Sequence, residues 1–387
     1  MITSGFTYLA VIVFFASLII GLENQTKSKF FEYVPAIVLI YFAVMLLSTL
    51  GMWTKTPEVT ATYKAVKGSL LPAMIFLMLL RCDLRKIMKL GPKMLIGFFA
   101  AAISIGIGFV VTFALFKNMY APGTWKAFAA LAGSWMGGTG NMVAVQGALN
   151  VPDSGMGYTL LIDSIDYAIW VMFLLGMVPF AKVFNRWTGA DNQTLEQVGR
   201  ELAREREAGR QSIEFSDMMV LLGTALFVSA VSKVCAGVLP KTSFLSGTTW
   251  SVIIATLAGI SLAMTPMGRM PGSGQISNVM LYTIVGLIAS RANFAELTQA
   301  PLYIFSGFVI LAVHGIILTL IAKIFKLDLF TCGVASLANI GGVASAPILA
   351  ASYGQALIPI GVLMAMMGYI VGTGGGLLVG KILSLLV

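Results

Sequence analysis

Two aspartates, Asp163 and Asp166, lie three residues apart in the otherwise apolar stretch Leu160-Leu-Ile-Asp-Ser-Ile-Asp-Tyr-Ala-Ile-Trp170. That spacing puts them on one face of a helix. Counted from Gly157 at ~1.5 Å per residue, they stand roughly 9 and 13 Å into the helix, so Asp166 approaches the midplane if the helix spans a bilayer. An ionisable group at that depth costs at least about 2.5 kcal/mol and marks function by default. No Lys or Arg lies within one turn to neutralise the pair. The chemistry left to them is a bound sodium ion, or a proton in its place.

Two further stretches interrupt apolar runs with glycine and small polar residues. They are Ala132-Gly-Ser-Trp-Met-Gly-Gly-Thr-Gly-Asn-Met-Val-Ala144 and Leu337-Ala-Asn-Ile-Gly-Gly-Val-Ala-Ser-Ala-Pro-Ile-Leu349. Glycine permits non-helical backbone, and Pro347 removes a donor. Backbone groups freed in this way cannot face lipid and are tolerated only where they line a cavity or find new partners. Unwound carbonyls then become ligands for sodium, and half-helix N-termini become anion sites. Thr139, Asn141, Asn339 and Ser345 add side-chain oxygens beside the breaks. With Asp163 and Asp166 they form the candidate ion-binding set, in which Asn141, Asp163 and Asp166 are the candidate sodium ligands. The candidate solute-binding residues are Ser134, Gly137, Gly138, Gln146, Gly341, Gly342 and Asn278. Gln275, Ser277 and Asn278 could equally be helix caps, and Arg269 reads as a loop arginine at the membrane surface. Gly372-Thr-Gly-Gly-Gly376 reads as a close-packed stretch of the last helix, not a phosphate loop, because no Lys-Ser/Thr follows it.

The elements that must position these residues follow from composition. The chain has 387 residues, 58% hydrophobic and 11% charged, with mean hydropathy +0.91, against about 25% charged for a soluble domain. Continuous apolar runs exclude a transmembrane barrel, whose strands alternate. The expectation is an all-α polytopic membrane protein. Its apolar runs lie at about 5–21, 33–51, 69–82, 93–116, 124–149 and 156–182, then 217–238, 247–264, 276–290, 300–325, 330–353 and 356–386. Residues 183–216 form a charged extramembrane linker whose acids and bases recur three or four apart from Leu195 to Glu207.

The halves 1–182 and 217–387 resemble each other. Leu71 to Arg81, a charged turn and a long apolar run correspond to Leu281 to Arg291, a turn and another run. The two breaks occupy matching positions. Such repetition points to a secondary transporter and to where it binds its cargo. The turn Arg81–Lys93 holds five basic residues and one acid and is expected to be cytoplasmic. Twelve crossings counted from there make the repeats parallel and put the linker outside, whereas an odd count per repeat inverts them. The expectation is therefore eleven or twelve helices in two inverted repeats, with 69–82, 276–290 and the linker ends as the places where the count shifts by one.

Net charge is +9, and without a basic stripe interleaved with aromatics it implies cytoplasmic loops and anionic headgroups, not nucleic acid. Cys82, Cys235 and Cys332 are scattered and odd in number, so neither a disulfide framework nor a metal cluster follows. His314 reads as a packed helix-interior histidine. The first apolar run lacks a basic leader and a cleavage site, so it is expected to be a retained helix, not a signal peptide. No catalytic arrangement is visible and no cofactor is expected beyond sodium or a proton.

At Gly137-Gly-Thr-Gly-Asn141 the chain resembles the superfamily of bile acid:sodium symporters and cation:proton antiporters, whose crossing broken helices carry such motifs. Over its whole length it is similar to an uncharacterised family of bacterial membrane proteins, domain of unknown function 819, or YjcL-like. The resemblance implies panel helices at about 5–82 and 217–290 that form a homodimer, and a core at about 93–182 and 300–386 containing two crossing discontinuous helices. It also implies elevator-type alternating access in a bacterial plasma membrane. By position it implies sodium ligation by Thr139 and Asn141, with the region of Asp163 and Asp166 contributing. The symporters carry an acid on the second broken helix, and this chain has none after Asp328. Ligation there falls to Asn339, Ser345 and carbonyls. The functional expectation is a sodium-coupled symporter of a small organic anion, amino acid or short peptide. The alternatives are a cation:proton antiporter using Asp163 and Asp166, and a non-transporting receptor.

Overall fold

The computed structural model describes residues 1–26, 31, 35–153, 155–190, 212–242, 245–294 and 300–387. Among these residues the protein is almost wholly helical, and the one extended pairing is an isolated bridge between Ile2 and Trp53. The chain is an all-α polytopic membrane protein. Its helices are α1 (Gly5–Thr26), α2 (Ala36–Thr49), α3 (Pro57–Leu79), α4 (Leu84–Met88), α5 (Gly91–Phe116), α6 (Thr124–Trp135), α7 (Thr139–Leu149), α8 (Gly155–Met177) and α9 (Ala181–Thr188) in the first half. The second half holds α10 (Phe215–Val238), α11 (Gly247–Ala263), α12 (Ser273–Ala289), α13 (Ala300–Phe325), α14 (Leu329–Ile340), α15 (Gly342–Tyr353) and α16 (Ile358–Leu383). Six of them, α1, α5, α8, α10, α13 and α16, are apolar and long enough to cross a membrane, with α8 counted through to Thr188. The charged pattern at 195–207 lies outside the described residues.

Helix starts follow local chemistry. Thr56 caps α3 by accepting from the Val59 N–H (3.2 Å), with Pro57 in the first turn where its missing donor costs nothing. Asp328 caps α14 by accepting from the Thr331 N–H (2.8 Å). Within the turn after α3, the Arg85 guanidinium forks onto Asp83 at 2.9 and 3.0 Å and holds that carboxyl below its ordinary range.

The helices fall into two groups that pack chiefly within themselves. α1–α3 and α10–α12 form one, and α5–α8 with α13–α16 form the other. α7 bridges them by packing on α3 and α11.

The two broken segments reverse direction instead of crossing the bilayer. A methyl added at Gly133 would stand 2.9 Å from Val145, and one at Gly380 would touch both Ala129 (2.8 Å) and Leu149 (3.2 Å). The pairs 133 with 145 and 129 with 149 share one antiparallel register, closed at Gly137–Gly138. In a continuous helix, residues 133 and 145 would be ~18 Å apart. α14 and α15 repeat the pattern: a methyl added at Gly333 would stand 3.1 Å from Leu349, and the Phe330 and Tyr353 rings meet at 5.3 Å. The discontinuous helices are thus two helical hairpins. Their arms of 11 or 12 residues are about 17 Å long, roughly half of the ~30 Å hydrocarbon core. The second glycine of each pair makes the turn, Gly138 at φ +85° and Gly342 at φ +61°, a left-handed conformation that favours glycine.

The hairpins also settle the crossing count. Among the described residues, ten helices run from face to face (α1, α2, α3, α5, α8, α10, α11, α12, α13 and α16), five in each half instead of eleven or twelve in all. Five is odd, so the repeats are inverted. Equivalent helices accordingly run antiparallel. Arg291 at the end of α12 bonds Thr60 at the start of α3 (3.1 Å), while Arg81 after α3 packs on Gly274 at the start of α12. α5 and α13 cross-link in opposite directions through Ser104–His314 and Gly108–Ile310.

One face carries the N-terminus, the start of α3 and the open end of the first hairpin. The other carries the Arg81–Lys93 turn and the open end of the second, where Asn185 accepts from the Leu329 N–H (2.8 Å). Gly272, near Arg81, packs on Met218 and Leu221 of α10. Both ends of the linker therefore lie on the face of the basic turn, which corrects the placement on the opposite side that twelve crossings required.

Single cysteines at Ala121 and Pro152, in a background without the native cysteines, should label from the same side of sealed vesicles with a membrane-impermeant thiol reagent. A cysteine at Gln355 should label from the other side. Labelling of Ala121 and Pro152 from opposite sides would mean that the first broken segment crosses.

Candidate ion and solute site at the hairpin tips

The first tip is held by its own side chains and by α16. Ser134 O accepts from the Gly137 N–H (3.1 Å) and also from that of Gly138, and Asn141 Nδ2 donates to Gly137 O (2.7 Å) and Gly368 O (3.4 Å). The Asn141 amide oxygen accepts from Thr373 Oγ1 (2.6 Å). The glycines of α16 let this happen: methyls at Gly372 and Gly376 would press on Gly137 Cα and Gly133 Cα at 2.8 Å. Gly372-Thr-Gly-Gly-Gly376 is therefore the surface that receives the first hairpin. Sequence alone found no polar counterpart for it, because Thr373 and Asn141 are 232 residues apart.

The second tip reaches the same helix. A methyl at Gly368 would meet Gly137 Cα (3.0 Å), Met136 O (3.2 Å) and Ala338 O (3.2 Å), so both tips converge there. Asn339 donates to Ala335 O (2.9 Å) and Phe98 O (3.3 Å), while its amide oxygen is buried without a partner. Ser345 is buried, and the Tyr167 ring from α8 stands against Gly341. No side chain caps α7 or α15 where they start at the tips, so their first N–H groups point from both hairpins into this region.

The aspartates divide between two neighbours. Asp163 accepts from Ser134 Oγ (3.1 Å to each oxygen) and from Trp135 Nε1 (3.0 Å), which ties α8 to the last turn of α6. Asp166 is fully buried against α13, where a methyl at Gly307 would collide with its carboxylate, and neither of its oxygens has a hydrogen-bond partner.

Asp163, Ser134, Gly137, Gly138, Thr139 and Asn141 thus gather at the first tip, and Asn339, Gly341, Gly342 and Ser345 at the second. No hydrogen bond joins Asn141, Asp163 and Asp166 to one another: Asn141 bonds Gly137 and α16, Asp163 bonds α6, and Asp166 packs on α13 without a hydrogen bond. Asn278 is exposed on α12, away from the tips. Gln146 belongs to a different cluster, at the open end of the first hairpin. There Asp153 accepts from Gln146 Nε2 (2.8 Å) and Tyr63 OH (2.9 and 2.8 Å) and pairs with Lys67 (3.3 Å), linking the hairpin to α3. Lys67 and Tyr63 lie N-terminal to the apolar run 69–82, and Asp153 is more than 80 residues away, so nothing local in the sequence marks this cluster.

His314 is a satisfied core residue. Trp170 Nε1 donates to Ser336 Oγ (2.8 Å), Ser336 meets His314 Nε2 (2.8 Å), and His314 Nδ1 meets Ser104 Oγ (2.7 Å), which donates to Ala101 O (2.9 Å). A neutral ring protonated at Nδ1 uses every donor in this chain once.

A family model described as "Protein of unknown function (DUF819)" matches residues 10–386. The chain belongs to this family. A curated relative of the DUF819 protein is the "Uncharacterized membrane protein YjcL" of Bacillus subtilis (strain 168), 24% identical over 384 residues that cover 96% of this chain and 94% of that one.

Gly137→Ala should destabilise the DUF819 protein by about 1–3 kcal/mol, the usual cost of overpacking, because the methyl would run into the Gly368 carbonyl. Gly374→Ala, with open space around the position, should leave thermal unfolding unchanged. Equal midpoints for the two variants would mean that the tip does not pack on α16.

Proposed function

We propose that this protein is a secondary active transporter that binds a small solute where the two hairpin tips meet α16 and couples its movement to a cation. The observation that carries this reading is the pair of hairpins from opposite faces meeting at Gly368. Irregular backbone at membrane depth is costly unless it lines a site, and an inverted pair makes that site reachable from either side by exchange of the two repeats' conformations. The uncapped N–H groups at both tips favour a solute with a negatively charged group: a small organic anion, amino acid or short peptide. The first reading is sodium symport, with sodium held by tip carbonyls, Thr139, Asn339, Ser345 and Asp163. The protein performs no chemistry on its cargo.

The helix grouping supports an elevator motion in which α5–α8 and α13–α16 slide against α1–α3 and α10–α12, the latter forming the contact of a homodimer. In the present conformation the first hairpin is docked on the second group: Ser246 and Thr249 hydroxyls both donate to Ala148 O (3.0 and 3.2 Å), and Asp153 binds Tyr63 and Lys67. α15 instead packs on α16 and α14. That asymmetry favours closure at the N-terminal face and access from the face of the basic turn. By the positive-inside rule that face is cytoplasmic in a bacterial plasma membrane. A second reading, cation:proton antiport, is favoured by the unpartnered carboxylate of Asp166.

Sodium should raise the thermal midpoint of the purified protein above that in equimolar potassium or choline, following ln(1 + [L]/Kd), and Asp163→Asn should remove the shift. Solute-dependent sodium uptake in proteoliposomes then marks symport, whereas proton release on adding sodium without solute marks antiport. No sodium effect on stability at any pH would overturn the sodium-coupled reading.

A further inference from the structure

We infer that a cavity between α3, α10 and α11 at the N-terminal face binds a phosphate-bearing anion. The cavity has a volume of about 340 Å³. Its walls include Leu71 and Pro72 of α3, Lys233 and Ala236 of α10, Thr248 of α11 and Lys241 of the loop between the last two helices. One side is therefore apolar, and the other carries two ammonium groups. It lies beside the start of α11, where Ser246 meets Ala148 at the open end of the first hairpin.

The charges around this space are unbalanced. Lys233 donates to Ser69 Oγ (3.3 Å), a neutral partner. Lys241 folds back over the start of α11, where a methyl at Gly247 would stand 3.8 Å from its Cε. That end of α11 has no acid in its first turn, and its Ser246 cap is spent on the Thr249 N–H. The N–H groups of Gly247 and Thr248 have no acceptor among the described residues. A helix N-terminus is electropositive and disfavours a cation laid on it, so an anion shared between them relieves the repulsion. No carboxylate of the surrounding helices does so. α11 has none, Glu58 of α3 accepts from the Gly5 N–H, and Asp217 of α10 is in its first turn, at the opposite face. Asp153, on the hairpin side, is bonded to Tyr63, Gln146 and Lys67.

A phosphate group suits this set because it accepts from ammonium groups and backbone N–H groups together. The exposed Val234 and Val238 stand beside the lysines on α10, so a phospholipid headgroup reaches the cavity with its chains still in the bilayer. Free phosphate presents the same chemistry from solution. Leu71 and Thr248 also touch the first hairpin: a methyl at Gly147 would stand 2.8 Å from one and 3.2 Å from the other. An anion bridging α10 and α11 here braces the surface on which that hairpin docks. This consequence rests on the transporter reading; the binding does not.

Native mass spectrometry of the purified protein with equal amounts of phosphatidylglycerol and phosphatidylcholine, and thermal unfolding with inorganic phosphate against chloride, test the inference. The protein should retain phosphatidylglycerol in preference, or be stabilised by phosphate. Lys233→Gln and Lys241→Gln should each weaken that binding roughly five-fold, about 1 kcal/mol per basic residue. Lys126→Gln, at the same face but over Trp125 and outside the cavity, should leave it unchanged. Both cavity lysines are exposed, so the variants should fold. A response to phosphatidylglycerol alone assigns the headgroup, and a lysine-dependent response to phosphate assigns the free anion. No response to either, or equal losses in Lys126→Gln and the cavity variants, would overturn the site. Binding is read without cargo or gradient, so failure of transport assays would leave this result standing.

Discussion

Every backbone N–H and C=O released at a hairpin tip must find a partner inside the protein, because the bilayer core offers none. The rest of the core follows from that constraint. Four helix ends terminate near one level of α16, and that helix is built to accept them. Gly368, Gly372 and Gly376 carry no side chain where the tips approach, and Thr373 and the Gly368 carbonyl meet Asn141. Close packing of small residues with interhelical hydrogen bonds is what drives association where water cannot. The hairpins and α16 are therefore one unit. A side chain added at Gly137 or Gly372 disturbs the tip and its receiving helix together.

The same constraint separates the two aspartates. α8 runs beside the first hairpin on one side and α13 on the other. A residue facing α6 meets the Ser134 hydroxyl and the Trp135 indole, whereas a residue one turn further meets the bare backbone of Gly307. One acid becomes part of the hairpin's hydrogen bonding and the other is buried without a hydrogen-bond partner. Proximity along the helix does not make them a pair. Their neighbours differ: Asp163 is bonded to the last turn of α6, and Asp166 packs on α13.

Inversion of the repeats is a consequence of parity. Five face-to-face helices per half, with a hairpin that returns to the face it came from, reverse the second repeat relative to the first. The arginines Arg81 and Arg291 each reach the start of the other repeat's equivalent helix. The symmetry is broken where the hairpins meet the α1–α3 and α10–α12 group: α7 packs there and anchors Asp153 on Tyr63 and Lys67, while α15 stays within the core.

Sequence alone determined the membrane class, the places where two helices stop, and the face shared by Asp163 and Asp166. Each of these is a local property: runs of apolar residues, glycine pairs, and the helical period of a single segment. Only the tertiary structure decided that the chain turns back at Gly138 and Gly342. A glycine pair interrupts a helix in the same way whether the chain goes on or reverses, and the direction it takes depends on packing against α16, which for the first hairpin lies more than 200 residues later. Tertiary packing also moved Gln146 from the tips to Asp153, left Asn278 exposed on α12, and set Asp163 apart from Asp166. Those outcomes depend on which neighbouring helix meets each face, and a single sequence carries no local mark of it.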